Sequence, residues 1–304
     1  MKDMDFSGLQ AFAAVVTAIV LEAAPFLLLG SLAAGAVEAW MPEGALDRLL
    51  PKHRAGRVLA GLLAGFLLPA CECGIVPLAR RLLRKGVPVA AALPYMLAAP
   101  VVNPISMLAT WVAFRGDWGM VLGRVALVAV PAAALGLALG DRKARDILAP
   151  GLDMAHDAGC SCRAHGGAHG GSKLLSALRH AAEEFLDMSR FLVLGAVASA
   201  IFKVFLPQGV LEAVAGSPLG AVAALMLLAV LLSICSQADA FVAASLTMFP
   251  RGAQLAFLAL GPMLDLKLIP AYLAVFRRPV FRSLVVVPTV LIFVLCALLT
   301  ALWG

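Results

Sequence analysis

Eight long apolar segments set the first limit on what this chain can fold into. They cover residues 11–40, 58–79, 87–114, 119–140, 185–206, 219–249, 252–276 and 284–303. A helix needs about 20 apolar residues to cross a hydrocarbon layer of ~30 Å. The segments are continuous in Leu, Ala, Val and Ile and do not alternate with polar residues, so they predict helices and exclude a membrane barrel. We therefore expect an all-α integral membrane protein with about eight transmembrane helices.

The composition agrees with lipid as the main solvent of the chain. Hydrophobic residues make up 62% of it, charged residues 14%, and the mean hydropathy is +0.96, whereas a soluble domain is roughly 45–50% apolar and about a quarter charged. The net charge of +6 is spread over short loops without interleaved aromatic residues. Such charge is typical of loops that set membrane topology, and nucleic acid is not an expected partner.

A polar stretch divides the chain into three parts: a first membrane repeat at 1–140, a Cys/His-rich loop at 141–184 and a second membrane repeat at 185–304. The two halves can be aligned, with small gaps after the first stretch, so that several distinctive residues match. The matched positions are Phe26 with Phe191, Gly30 with Gly195, Pro42 with Pro207, Cys71 with Cys235, Pro100 with Pro262, and Asn103 with Asp265. Internal duplication with a binding site where the repeats meet is typical of secondary transporters.

The basic residues leave the topology open between two arrangements. If all eight segments cross, each half contains an even number of crossings and the repeats are parallel. Basic clusters flank the second segment on both sides, at 48–57 and at 80–85, although the positive-inside rule prefers such clusters on one side of the membrane. A second segment that is broken or re-entrant, turning near 69–74, would place both clusters together.

Residues 68–107 carry the most informative motif. Six prolines interrupt this otherwise apolar stretch, and it contains the sequence Cys71-Glu72-Cys73-Gly74. Proline removes a backbone hydrogen bond from a helix, so this segment must be enclosed by protein or face a water-filled cavity. Two thiols beside one ionisable group predict a site for a soft ion such as Cu(I) or Zn(II).

The second half contains a counterpart of this motif. Cys235 and Asp239 are four residues apart and would share one helical face. Asp265 aligns with Asn103, and Lys267 follows it two residues later. We expect Cys71, Cys73, Cys235 and Asn103 to bind substrate or metal within the membrane. Glu72, Asp239, Asp265 and Lys267 are expected to carry protons or to balance charge.

The central loop contains His156, Cys160, Cys162, His165 and His169 in a Gly-rich tract. These side chains are donors for Zn or Cu, but their spacing is not that of a zinc finger and no apolar residues surround them. The loop therefore predicts a labile, cytoplasmic metal-catching or sensing tether, and we expect no tightly bound cofactor beyond transported or labile Cu or Zn.

Three stretches carry a resemblance to a known family. They are Cys71-Glu-Cys73-Gly74-Ile-Val-Pro77, Ala99-Pro100-Val-Val-Asn103-Pro104 and Ser233-Ile-Cys235-Ser-Gln-Ala-Asp239. With them the chain resembles the bacterial permease family of the organoarsenical exporter ArsP and the YraQ-type permeases. The resemblance implies a multi-pass helical permease of the bacterial inner membrane, without an ATPase domain. The His/Cys-rich loop is similar to that of the family's copper/zinc efflux branch.

We therefore expect a transporter and not an enzyme: a secondary active efflux permease for a soft heavy-metal ion, with proton coupling suggested by the acidic residues. Export of trivalent organoarsenicals is the alternative within transport. A membrane metal-sensing or redox protein is the alternative of another class. The expected partners are the lipid bilayer and a metal or metalloid substrate, and a homo-oligomer is left open.

Overall fold

The computed structural model describes residues 2–40, 50–67, 72–149, 173–205 and 217–303. Within these ranges the chain is helical, and the only β-type pairing is an isolated antiparallel bridge between Leu148 and Phe276. The helices are α1 (Lys2–Trp40), α2 (Arg54–Leu67), α3 (Glu72–Arg84), α4 (Val89–Ala98), α5 (Pro104–Ala113), α6 (Trp118–Leu139), α7 (Ala144–Ile147), α8 (Lys173–Phe205), α9 (Pro218–Leu232), α10 (Ala238–Ser245), α11 (Arg251–Leu260), α12 (Leu268–Val275) and α13 (Arg278–Trp303).

Three stretches of the described chain are long and apolar enough to cross a membrane as single helices: Phe12–Ala33, Trp118–Leu139 and Arg278–Ala301. Their apolar side chains face outward in large number, as lipid-facing helices require. The expected all-helical membrane protein is therefore what the chain forms. Eight crossings remain a prediction, because four of the predicted segments are divided.

Each divided segment consists of two shorter helices. A non-helical break separates α4 from α5, α9 from α10 and α11 from α12, whereas residues 68–71 between α2 and α3 lie outside the described residues. The four pairs are α2 with α3, α4 with α5, α9 with α10, and α11 with α12. The break between α4 and α5 ends where Asn103 caps α5 and Pro104 occupies its first turn, a position that tolerates proline because no helical partner is lost there. These divided segments are the ones that contain the polar motifs.

Helices α2 and α4 run parallel toward one region in the interior of the bundle. Gly61 packs on the backbone of Ala91, and one turn later Gly65 packs on Ala99. Helix α6 runs antiparallel to both, because Gly136 contacts Pro94 and Gly140 contacts Ala90. The start of α2, the start of α4 and the end of α6 thus lie together. We call this end of the bundle the basic end.

Helix α3 returns to the basic end. Leu82 near its end and Val87 after it line one apolar cavity with Leu50 and Ala60, which lie before and within the first turns of α2. Both ends of the α2/α3 pair are therefore on the same side of the molecule. The two basic clusters that flank the second segment lie together, as a re-entrant turn requires.

The second half has the reverse orientation. Arg251, which opens α11, pairs with Asp117 at the start of α6, with 2.9 Å between Nη1 and Oδ2, so α11 starts at the end opposite the basic end. Gln254 in the first turn of α11 donates to the carbonyl of Leu246, just after α10. Helix α10 therefore also ends at the opposite end.

Helices α9 and α11 converge on the interior from that opposite end. The backbone N–H of Leu266, six residues after α11, donates to the carbonyl of Val230 in the last turn of α9. Helix α12 then leads to the basic end, where Phe276 bridges to Leu148 and Arg277 N donates to the carbonyl of Ile147. The order of helices in 173–303 thus repeats that in 2–139 with the ends exchanged.

Candidate functional site

The three described helix breaks and the start of α3 meet in the interior of the bundle, and four buried charged residues lie there together with Asn103. Glu72 opens α3, Asn103 precedes α5, Asp239 lies in the first turn of α10, and Asp265 and Lys267 precede α12. All five side chains are at most 6% exposed. Residues far apart in the sequence thus form one cluster at the junction of the two halves.

The ammonium of Lys267 lies between two carboxylates at the centre of this cluster. Its Nζ is 2.9 Å from Glu72 Oε1 and 3.5 Å from Asp265 Oδ2. Removing one partner of a buried ion pair typically costs 3–5 kcal/mol, so this triad holds the halves together while it remains intact. The pair joins the first half to the second, since Glu72 belongs to α3 and Lys267 to the start of α12.

Asp265 has a second, local role at the start of α12. Its Oδ1 accepts hydrogen bonds from the backbone N–H groups of Lys267 (2.9 Å) and Leu268 (2.7 Å). These N–H groups have no partner inside the helix, and a carboxylate is well suited to satisfy them. The cap fixes the carboxylate in the break and turns its other oxygen toward the ammonium.

Asn103 performs the equivalent cap at α5. Its Oδ1 accepts from Ser106 N at 2.8 Å, and its Nδ2 donates to the carbonyls of Ala99 and Pro100 at 3.2 and 2.9 Å. The side chain thus satisfies both the helix start and the break before it. Its polar atoms are used within the first half, so a direct role in substrate binding remains a prediction.

The break between α9 and α10 starts at Ser233, which has a left-handed backbone with φ +48°. That conformation ends α9, and the hydroxyl of Ser233 accepts a hydrogen bond from Leu266 N at 3.1 Å. Three residues later, Ser236 Oγ lies 3.1 Å from Ser106 Oγ. Cys235, a half-buried cysteine that forms no disulfide, lies between them in this break.

The third buried carboxylate of the cluster is that of Asp239. It is 2% exposed, and its Oδ2 has no hydrogen-bond partner among the described residues. This oxygen abuts Gly261, at 2.8 Å from where a Cβ would stand, so a glycine is needed there. Asp239 interacts electrostatically with Arg124, Glu72 and Lys267.

Arg124 is a central residue that the sequence reasoning missed. It is 1% exposed, and it donates from Nη1 to Thr110 Oγ1 (2.8 Å), from Nη2 to the carbonyl of Ser236 (2.8 Å) and from Nε to the carbonyl of Leu258 (3.1 Å). It thereby connects α6 to α5, to the α9/α10 break and to α11. The signal was present: Arg124 is the only charged residue of the apolar segment 119–140.

The remaining predicted residues are placed only in part. Cys73 lies in the first turn of α3, next to Glu72. Cys71 and the loop residues His156, Cys160, Cys162, His165 and His169 lie outside the described residues. Among the residues that the structure describes, no group of three His, Cys, Asp or Glu is arranged to hold a metal ion.

The comparisons with known proteins match the chain along most of its length. The model of the ArsP_1 family, described as "Predicted permease", matches residues 8–302. The chain belongs to this predicted permease family. It is 35% identical over 286 residues to a putative two-component membrane permease complex subunit of Streptococcus mutans, covering 93% of each chain.

A second relative of this permease is UPF0718 protein YcgR of Bacillus subtilis, which is 36% identical over 269 residues, covering 87% of this chain and 88% of the relative. No solved structure matches the chain. The family match agrees with the resemblance identified in the motifs, and it supports a membrane transporter. The names of the family and of these two relatives identify no substrate.

Proposed function

We propose that this permease is a secondary active efflux transporter for a soft heavy-metal ion, Cu or Zn, with the binding site where the three described helix breaks meet the start of α3. The observation that carries the proposal is the buried pair of Glu72 and Lys267, 2.9 Å apart and contributed by different halves. Charged side chains inside a membrane protein are costly and mark ion or substrate pathways. A pair between halves can be remade when the halves move, as transport requires.

The second element of the proposal is an inverted repeat. The α2/α3 pair enters and leaves at the basic end, and α9/α10 enters and leaves at the opposite end. With three crossings and one re-entrant pair, each half contains an odd number of crossings, which inverts the second half relative to the first. Two re-entrant pairs that meet from opposite faces supply a binding site reachable in turn from either side.

The orientation follows from the basic residues. The basic end contains most of the described Lys and Arg of the connecting segments. These are Lys52, Arg54, Arg57, Arg80, Arg81, Arg84, Lys85, Arg142, Lys143, Arg145, Arg277 and Arg278. The positive-inside rule places this end in the cytoplasm. The loop 141–184 starts there, in the compartment where a metal-catching tether of an exporter would work.

The proposed metal ligands are the thiols of Cys71, Cys73 and Cys235. Cys235 lies in the α9/α10 break and forms no disulfide, and Cys73 belongs to the first turn of α3, next to Glu72. Thiolates prefer Cu(I) and Zn(II) over hard cations. Trivalent organoarsenicals would use the same thiols and are the second candidate substrate.

Proton coupling is proposed for Asp239, a buried carboxylate whose Oδ2 has no hydrogen-bond partner among the described residues. Its test is metal transport into inverted vesicles with and without an imposed pH gradient. Transport that is indifferent to the gradient would remove this part of the proposal. A sensing or redox role is the proposal of another class, and it depends on the central loop.

A partner subunit is a further proposal that rests on the name of the Streptococcus relative, a two-component membrane permease complex subunit. Co-purification of the tagged protein from its native membrane, followed by mass spectrometry, tests it. A stoichiometric second membrane protein supports a hetero-complex. Recovery of this chain alone, as monomer or homo-oligomer, contradicts it.

The main proposal is tested by metal analysis of purified protein together with vesicle transport. Wild-type protein is expected to bind Cu or Zn and to move it into inverted vesicles. The Cys71→Ser/Cys73→Ser double variant and Cys235→Ser are expected to lose at least ten-fold in metal affinity. Equal metal content in wild type and variants would overturn the thiol site. Lost tolerance to methylarsenite with retained tolerance to copper and zinc would favour the organoarsenical.

A further inference from the structure

We infer that the Lys267 ammonium is a built-in occupant of the cargo site, which the transported cation must displace from Glu72 and Asp265. The inference rests on the proposed function, because it describes how the same site takes a cationic cargo. It assigns the two carboxylates to the cargo itself, beside the proposed thiols. It also assigns to Lys267 the role of an internal competitor.

The position of the ammonium is the first observation. Nζ lies between carboxylates from both halves, 2.9 Å from Glu72 Oε1 and 3.5 Å from Asp265 Oδ2. A positive charge therefore already occupies the point between the halves where a cationic cargo would gain most from them. The side chain is flexible and compact at its charged end, so it can leave without rearranging the helix.

Two buried carboxylate oxygens without a hydrogen bond are the second observation. Glu72 Oε2 and Asp265 Oδ2 belong to residues that are 1% and 0% exposed, and neither oxygen has a hydrogen-bond partner among the described residues. Buried carboxylate oxygens are normally satisfied. Glu72 Oε2 is thus a desolvated carboxylate oxygen without a hydrogen bond, and Asp265 Oδ2 has only its 3.5 Å ion-pair contact with Lys267 Nζ. A cation that arrives between them would satisfy both.

Asp239 provides a place for the displaced ammonium. Its carboxylate is within electrostatic reach of Lys267, and its Oδ2 also lacks a hydrogen-bond partner in the described part of the chain. Three buried carboxylates face two buried cations, Lys267 and Arg124. With all of them ionised the cluster carries one excess negative charge, so an added cation is electrostatically favoured.

An internal competitor has two consequences for transport. It weakens cargo binding, because the site must give up an ion pair that already exists. It also speeds cargo release, because the ammonium returns to the vacated carboxylates. A permease without Lys267 should therefore hold its cargo more tightly and turn over more slowly.

The test compares Lys267→Met, which removes the charge at similar length, with Lys267→Arg, which keeps it. Zn²⁺ affinity is measured by calorimetry on purified protein, and Zn²⁺ transport is measured in proteoliposomes. Lys267→Met is expected to bind Zn²⁺ at least ten-fold more tightly than wild type and to transport it at least ten-fold more slowly. Lys267→Arg is expected to bind Zn²⁺ within about three-fold of wild type.

Zn²⁺ affinity that is unchanged or weaker in Lys267→Met would overturn the inference while leaving the proposed function intact. Wild-type protein that binds neither Zn²⁺ nor Cu⁺ would instead remove the proposed function. If Lys267→Met does not fold, as judged by gel filtration and thermal unfolding, Lys267→Gln replaces it, because its amide can donate to Glu72.

Asp239→Asn is expected to weaken Zn²⁺ binding by depriving the displaced ammonium of its second partner, and unchanged binding would contradict that role.

Discussion

Ser236 lies 3.1 Å from Ser106, hydroxyl to hydroxyl, at the start of α10 and α5. When Cys235 is aligned with Cys71, Ser236 takes the position of Glu72. The contact between α10 and α5 is therefore a neutral version of the charged contact between α3 and α12. The two related junctions of the halves differ in strength, and the charged one is expected to control the slower conformational step.

The first prediction concerns Arg124. Arg124→Gln removes a buried cation with three hydrogen bonds, and hydrogen bonds to charged groups contribute about 1.5–3 kcal/mol each. We expect the variant to lose transport and to unfold at a temperature at least 5 °C lower, within the usual range for a loss of a few kcal/mol. Thermal unfolding in detergent and vesicle transport measure both effects.

The matched control for Arg124 is Arg251→Gln. Arg251 pairs with Asp117 near the surface, where its side chain is 67% exposed, and exposed pairs contribute roughly 0–1 kcal/mol. This variant should unfold within about 2 °C of wild type and transport normally. If both Arg variants behave alike, Arg124 does not connect the helices in the way described above.

The second prediction separates two cysteines. Cys235 lies in the α9/α10 break, whereas Cys296 is buried in α13 away from the ionic cluster. Cys235→Ser is expected to abolish metal tolerance of cells, while Cys296→Ser leaves it unchanged. Growth on graded copper and zinc, with immunoblots for expression, provides the measurement. Loss of tolerance in Cys296→Ser alone would argue against a site at the breaks.

The third prediction concerns topology. Single cysteines placed at Lys52 and Lys85 in a cysteine-free background should both react with an impermeant maleimide from the cytoplasmic side only. Cysteine at Met248 should react from the other side only. Reaction of positions 52 and 85 from different sides would show that the second segment crosses the membrane fully.

The fourth prediction concerns the Asn103 cap. Asn103→Ala leaves the start of α5 and the carbonyls of the break without their partner, which costs about 1–2 kcal/mol for a helix cap alone. We expect a lower unfolding temperature and at least a ten-fold slower transport, because the break lies at the site. Ser217→Ala removes the exposed cap of α9, and it should lower stability without slowing transport comparably.

The fifth prediction concerns the central loop. Deletion of residues 155–172 should leave transport in vesicles with a reduced apparent affinity for the metal, because the proposed tether only supplies cargo. Zinc flux measured over a range of zinc concentrations would show a raised KM with kcat retained. Complete loss of activity would favour the sensing or redox protein instead.

Much of the fold could be predicted from the sequence because its signals are local. Apolar length predicted the membrane helices, and the six prolines of 68–107 predicted that helices are interrupted in that stretch. The pairing of Glu72 with Lys267 could not be predicted, because 195 positions separate them and only the packing of the halves brings them together. Arg124 could have been identified, since a single charge inside an apolar segment is a local signal.

The choice between parallel and inverted halves also required the packing. Both arrangements have the same apolar segments. Contacts between helices determine which helix ends lie together, namely those of Gly61, Gly65 and Gly140 in the first half and the pair of Arg251 with Asp117 for the second. The basic clusters indicated that eight full crossings conflict with the positive-inside rule, but they did not show which arrangement removes the conflict. Which backbone a glycine packs against depends on a partner helix that is distant in the sequence, so the residues around the glycine do not reveal it.

The position of Lys267 has a consequence for the energy of its ammonium. Lys267 occupies the N-cap position of α12, and its side chain makes no capping hydrogen bond. At this end of the helix aligned peptide dipoles create a partial positive charge of about half a unit. The carboxylate of Asp265 is stabilised by this dipole, whereas a cation at the same end is repelled by it. The two carboxylates therefore hold the ammonium in place although the dipole of its own helix repels it. This repulsion favours the departure of the ammonium from the site.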